Sequence, residues 1–352
     1  MSIVHKRWFK PVVLGAVSVG IVVATFVFLL PSIADYSHVW DVVRQLTWRE
    51  IGLLLLATAI NLVTFAPPWM VALPGLSFMQ ALTVTQASTA LSIVVPAGVA
   101  AGVASSYGVL RGWHFPTRDI TRAVTLTSLW NQFLNLGFPI LAVFLLALSG
   151  ESTAALASVA FVGVAILGVA IAGFVLILVS RRLAVDLGDV AARVTNWALS
   201  KIRRGPVSWN GESFGRFRQD VGKFLERRWW ALTGAALLGN LTVFLVLLVS
   251  LRTVGVSSSQ VTLIEAFASW ALIRIIGAFP ITPGGIGVIE LGLTGALIGF
   301  GGHRASVVAA VLVYRFLTTV PTLTLGLAAA FTWRRQGRLE PGPAEVPGSA
   351  AR

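Results

Sequence analysis

Apolar stretches of about twenty residues with few charges alternate along the chain with shorter polar ones. Crossing roughly 30 Å of hydrocarbon takes about twenty helical residues at ~1.5 Å each, so every such stretch predicts a spanning helix. The pattern places spans at Val12 to Leu30, Ile51 to Met70, Arg122 to Leu148, Ala154 to Val179, Trp229 to Leu251 and Ala305 to Trp333. The first stretch competes with a signal peptide, but it exceeds the usual ~7–15 apolar residues and lacks an A-x-A cleavage pattern. It reads as an anchor helix.

Two further apolar regions, 79–110 and 262–300, are interrupted near their middles by VVPAG at 94–98 and ITPGG at 281–285. Proline removes a backbone donor and glycine weakens a helix, so a segment meant only to cross gains nothing from them. Each arm is only about 14–18 residues, short for a span, which favours a re-entrant hairpin over two crossings.

The two regions belong to an internal repeat. Asn61-Leu-Val-Thr-Phe65 matches Asn240-Leu-Thr-Val-Phe244, and Gly75-Leu-Ser-x-x-Gln80 matches Gly255-Val-Ser-x-x-Gln260. Each pair leads to a broken hairpin, at Pro96 and at Pro283, and then to a long span holding Pro139 or Pro321 with a polar residue, Asn131 or Arg315, before it. The first unit starts outside and the second inside, an inverted pair of the kind found in secondary transporters, whose sites lie near the midplane between repeats. The predicted architecture is an all-α integral membrane protein of about six spanning helices and two Pro/Gly-broken re-entrant hairpins. Its divisions are an N-terminal part with the anchor (1–50), repeat A (51–150), a scaffold helix and basic loop (151–228), repeat B (229–335) and a disordered tail (336–352).

Composition sharpens this reading. The chain of 352 residues is 56% hydrophobic and 12% charged, with a mean hydropathy of +0.83, which excludes an ordinary soluble domain. A net charge of +13 would suggest nucleic acid in a soluble chain, but here the distribution matters more. With the N-terminus cytoplasmic, 21 Lys and Arg fall on the cytoplasmic side and four, Arg44, Arg49, Arg252 and Arg304, on the other. Both termini are therefore expected in the cytoplasm of a cell-membrane protein. Within the basic loop, Phe214, Phe217, Val221 and Phe224 recur at helical spacing among arginines, which fits a helix lying on anionic lipid or a solvated connector about equally. In the fourth span, Gly163, Gly168 and Gly173 suggest a close-packed scaffold.

Candidate chemistry concentrates in FPITPGGIGVIELGL, Phe279 to Leu293. A helix restarting after Pro283 would offer the amides of Gly285 to Gly287 to an anion, with Gly284 letting a phosphate approach. A simple proline kink is the bland alternative. Arg274 precedes the break, Glu290 follows it and Arg315 lies in the last span. Buried charges cost ~2.5–3.5 kcal/mol each on insertion scales, so Glu290 should pair with Arg315 or Arg274, as a clamp or in substrate handling. In the first repeat Asn131, Gln132 and Asn135 supply amides, while Arg111 and Arg122 serve equally well as headgroup anchors or substrate contacts. The chain has no cysteine, and its four histidines lack metal-ligand spacing. No nucleophile elbow or nucleotide loop is present, so neither an enzyme, a metal nor a cofactor is expected.

PGGIGVIE, Pro283 to Glu290, resembles the Pro-Gly-Gly-x-Gly-x-x-Glu signature of the lysylphosphatidylglycerol synthase transmembrane-region family, with Pro283, Gly284, Gly285, Gly287 and Glu290 matching. PAGVAAGVASSYGVLR, from Pro96, is similar to the family's first-repeat pattern through Pro96, Gly98, Tyr107 and Arg111. It departs where Gly102 replaces a common acid and Ser105 a common arginine. The resemblance covers about 10–333 and implies the flippase part of the multiple peptide resistance factor, without its aminoacyltransferase domain. The function it implies is translocation of a polar, phosphate-bearing lipid headgroup. The alternative is a non-transporting accessory protein of a lipid or lipid-linked glycan pathway. The partners implied are an anionic or aminoacylated phospholipid or a polyprenyl-linked lipid, with a second copy or a lipid enzyme as protein partner and no nucleic acid.

Overall fold

A computed structural model describes residues 40–41, 43–94, 98–150, 154–201, 210–277 and 282–339. The predicted first span, the break residues 95–97 with Pro96, and the tail beyond Leu339 lie outside the described residues. Among those described there are helices and no strands. Five segments are long and apolar enough to cross a bilayer: Trp48–Ala72, Thr117–Leu148, Phe161–Val179, Gly211–Thr253 and Arg304–Ala329. They coincide with five of the predicted spans, and the protein is an all-α membrane protein.

Local chemistry sets the element ends. Helix α1 (Trp48–Thr64) starts with a reciprocal cap, the Thr47 amide donating to Glu50 Oε2 at 2.7 Å and the Glu50 amide to Thr47 Oγ1 at 3.4 Å. The donor-free Pro67 and Pro68 then force a new start, α2 (Ala66–Ala72). The first hairpin is α3 (Phe78–Val94) and α4 (Gly98–Gly112), followed by α5 (Thr117–Leu148). Helices α6 (Ala154–Val179) and α7 (Arg181–Lys201) lead to α8 (Gly211–Thr253). The second hairpin is α9 (Leu263–Gly277), a 3-10 turn at Pro283–Gly285, and α10 (Val288–Gly299), before the last helix α11 (Arg304–Leu339).

Both broken segments fold back on themselves. A methyl group on Gly98 would lie 1.8 Å from the Ser92 carbonyl oxygen, and one on Gly102 would lie 2.8 Å from that of Ser88, so α4 can run back along α3 only with glycine at these positions. In the second hairpin a methyl group on Gly292 would meet the Ile273 side chain, which can shift more readily than backbone. Arms of 17, 15, 15 and 12 residues are each shorter than the ~20 that a full crossing needs.

The repeated sequence motifs adopt matching turns. Gly75 and Gly255 take φ of 90° and 86°, and the Gln80 and Gln260 side chains each accept from the amide of the serine three residues earlier, both at 3.1 Å. The halves interlock, since α3 packs on α11 and α9 on α5, while α1 packs on α8. Asn61 of α1 and Thr242 of α8 share a hydrogen bond of 3.1 Å across that contact. One apolar core joins α8 to α11 and α5, with Trp270, Phe267, Phe244 and Phe138 in mutual edge and tilted contacts.

The basic loop departs from both readings of the sequence. Residues 181–201 form α7, and α8 begins at Gly211 rather than near Trp229, capped by Asn210. Val221 and Leu225 are buried against Leu110, Trp113 and Phe115 instead of facing lipid. An apolar stripe specifies an apolar partner without saying which, and here the protein supplies it. Arg218 donates to the Leu178 and Val179 carbonyls at the end of α6, and Arg118 pairs with Asp220, so part of the basic charge is structural. The scaffold reading of α6 also changes: Gly163 meets Ile140, whereas Gly168 and Gly173 have open space beside them and Phe161 and Val169 point outward. Residues 336–339, expected in the tail, continue α11.

Candidate functional site

At the second hairpin's tip the chain turns through Gly284, Gly285 and Gly287 with φ of 61°, 66° and 87°, a region that costs other residues about 1–2 kcal/mol. This turn returns the backbone into α10, and Glu290, in the first turn of α10, faces back on it. Glu290 Oε2 accepts from the Gly287 amide at 2.6 Å, and the Gly285 amide donates to the Thr282 carbonyl at 3.1 Å. Two of the amides expected to greet a phosphate are thus already engaged. A carboxylate three residues into the helix satisfies the orphan donor more cheaply than an external anion can.

Glu290 is almost wholly buried, and Arg315 of α11 meets it through Nε at 2.7 Å. Arg315 Nη2 also donates to the Gly284 carbonyl at 3.0 Å, which fixes the last helix to the tip. Gly284 lies against Ile93 at the end of α3, so the turn of the second hairpin packs on the first hairpin here.

Arg274 has different company. Its guanidinium donates to Asn240 Oδ1 at 2.6 Å and to Asn135 Oδ1, at 3.1 Å from Nε, and it lies over the Trp270 ring with 4.7 Å to the centroid. Among the described residues no carboxylate pairs with it. Asn240 Nδ2 in turn donates to Asn131 Oδ1 at 3.4 Å and to the Ala236 carbonyl at 2.9 Å. Neutral amides therefore hold a positive charge in place without neutralising it.

A cavity of about 590 Å³ opens beside these groups, between the hairpins and helices α1, α5 and α11. Arg274 and Arg315 are the formally charged residues on its wall, and Asn131, Asn135, Gln86 and Tyr314 add polar groups. A second cavity of about 280 Å³ adjoins it, sharing Thr85, Thr89, Ser128 and Asn131, and extends along the first hairpin.

Of the residues singled out by sequence, Arg274, Arg315, Gly284 and Asn131 come together on the wall of the larger cavity, and Glu290 stands behind Arg315. Pro283 opens the 3-10 turn that carries Gly284 and Gly285. Gly98 serves the packing of the first hairpin, and Pro96 lies outside the described residues. Arg111 is exposed and Arg122 pairs with Asp119 at 3.1 Å beside the Phe224 ring, and neither lines either of these two cavities. Sequence reasoning marked Asn240 only as a repeat landmark and passed over Gln86, Trp270 and Thr318. The available signal for Gln86 was a polar row, Thr85, Gln86, Ser88 and Thr89, in a helix arm that also carries Gln80, Thr83 and Ser92.

No group of three or more His, Cys, Asp or Glu residues able to hold a metal occurs among the described residues. Comparison with curated proteins found no match. Residues 15–326, which include both hairpins and the paired long helices around the cavities, match the family model described as lysylphosphatidylglycerol synthase TM region, and the chain belongs to that family.

Proposed function

We propose that the protein translocates a phosphate-bearing lipid headgroup between leaflets, with both hairpins re-entrant, both termini cytoplasmic and the acyl chains left in the bilayer. One observation carries this reading: Arg274 lines the larger cavity with its guanidinium held by Asn135 and Asn240 and paired with no carboxylate among the described residues. An ionisable group within a membrane protein is costly unless it is paired or lines a polar path, and a phosphodiester is the complement a planar guanidinium fork recognises best. Arg315 is already neutralised by Glu290, which leaves Arg274 as the guanidinium for the phosphate. The Glu290–Arg315 pair joins α10 to α11 beside the turn of the second hairpin. Family membership supports a lipid-related role.

Purified protein in liposomes tests the proposal through the rate at which a headgroup-labelled anionic phospholipid becomes accessible on the opposite face. Arg274→Ala should lower that rate at least tenfold and Arg274→Lys should restore part of it. Equal rates for folded wild-type protein and Arg274→Ala overturn the assignment.

A further inference from the structure

Resting on the translocation reading above, we propose that the smaller cavity selects the part of the headgroup beyond the phosphate, and that this part is an uncharged polyol. The substrate class is then a phosphodiester-linked glycerol, inositol or sugar lipid, not an aminoacylated one.

The two cavities divide the polar chemistry between them. Arg274 and Arg315 line the larger, whereas no ionisable residue lines the smaller, whose wall carries the hydroxyls of Thr85, Ser88, Ser92, Ser106 and Thr127. The break segments 95–97 and 278–281, outside the described residues, read Val-Pro-Ala and Ala-Phe-Pro-Ile and contain no ionisable side chain either. Asn131 and Asn240 stand on the smaller cavity's wall and reach Arg274 through the Asn240 carbonyl oxygen, so they link the phosphate position to the hydroxyl-lined space.

Those hydroxyls are committed as donors. Ser92 donates to the Ser88 carbonyl at 2.9 Å, Ser106 to the Gly102 carbonyl at 3.1 Å and Thr127 to the Ala123 carbonyl at 2.8 Å. A hydroxyl has one donor and two acceptor sites, so each retains lone pairs for an incoming donor. In the larger cavity, the buried Gln86 Oε1 is a further acceptor without a partner among the described residues. Such a surface fits a ligand with several O–H groups. Acceptors alone would also receive an ammonium, but an ammonium brought into this low-dielectric space meets the uncompensated guanidinium of Arg274 nearby and no carboxylate on the described walls. At about 280 Å³ the space lies near the lower end of the ~300–1,000 Å³ range of small-molecule sites, which suits one glycerol, inositol or hexose unit.

The experiment compares four labelled lipids in proteoliposomes: phosphatidylglycerol, phosphatidylinositol, a polyprenyl phosphohexose and lysyl-phosphatidylglycerol. Polyol lipids should move at least tenfold faster than the lysyl lipid, and the preference between glycerolipid and polyprenyl carriers identifies the source. Ser128→Asp places a carboxylate where both cavities meet and should raise the lysyl-to-polyol rate ratio at least tenfold. Aspartate at Gly102 is the less useful variant, because a Cβ there would lie 2.8 Å from the Ser88 carbonyl oxygen. Equal wild-type rates for lysyl and polyol lipids, or an unchanged ratio in folded Ser128→Asp, overturn the polyol assignment and leave translocation standing. Absence of movement of all four lipids overturns translocation itself, and the selectivity with it.

Discussion

Arg315 Nε donates to Glu290 Oε1 at 2.7 Å, while the other Glu290 oxygen receives the Gly287 amide at 2.6 Å. One buried carboxylate thereby joins the last long helix to the turn of the second hairpin. Glu290→Gln removes the charge that balances Arg315, and breaking a buried pair from one side costs about 3–5 kcal/mol. A fall in thermal midpoint in detergent is expected. The double variant Glu290→Gln with Arg315→Met should recover more than half of the loss, because no uncompensated charge then remains.

Asn135 holds Arg274 without neutralising it, so Asn135→Asp separates charge from shape. The new carboxylate pairs with the guanidinium in nearly the same volume. Thermal stability should hold or rise, while translocation of an anionic lipid in proteoliposomes falls at least tenfold. An unchanged rate in folded Asn135→Asp contradicts a phosphate position at Arg274.

The tip needs glycine for two separable reasons. At Gly284 a side chain is strained by a φ of 61°, and its Cβ would stand 2.9 Å from Ile93 Cγ2. Gly284→Ala should cost about 1–3 kcal/mol, combining the left-handed backbone with the contact. In an Ile93→Ala background the steric part disappears and the conformational part of about 1 kcal/mol remains, measurable as a double-mutant cycle of thermal midpoints.

The start of α8 is packed against protein, which predicts a sharp contrast between neighbours. Val221→Asp buries an unpaired carboxylate and should cost at least about 3 kcal/mol, enough to lower the yield of folded protein. The exposed Lys223→Glu should change stability by no more than about 0.5 kcal/mol. Similar small effects from both would return this face to a lipid or solvent surface.

The class of the protein and the location of most spans were legible from hydropathy, because a bilayer imposes one length and one polarity on every crossing segment. The break motifs were equally legible, since proline and glycine act locally on the backbone. Both Asn-containing motifs pointed to corresponding elements, and Gly75 and Gly255 do take the same left-handed turn. Gly102, which departs from the family pattern, lies on the wall of the smaller cavity, where the absence of a side chain keeps α4 close to α3.

What sequence could not assign was partnership. Glu290 had two plausible arginines, and only the crossing of α10 and α11 selects Arg315. Sequence offered Arg274 only Glu290, whereas its actual partners, Asn135 and Asn240, lie 139 and 34 residues away along the chain. The face around Val221 fitted a helix on lipid or a solvated connector in sequence, and only the fold places it in one apolar cluster with Trp113 and Phe115. Sequence by itself determined which segments enter the apolar phase and where their backbones break, because those properties are set by nearest neighbours and solvent. Tertiary structure alone decided which charges cancel and which has no carboxylate beside it, because Coulomb and hydrogen-bond energies depend on distances of a few ångströms between residues remote in sequence.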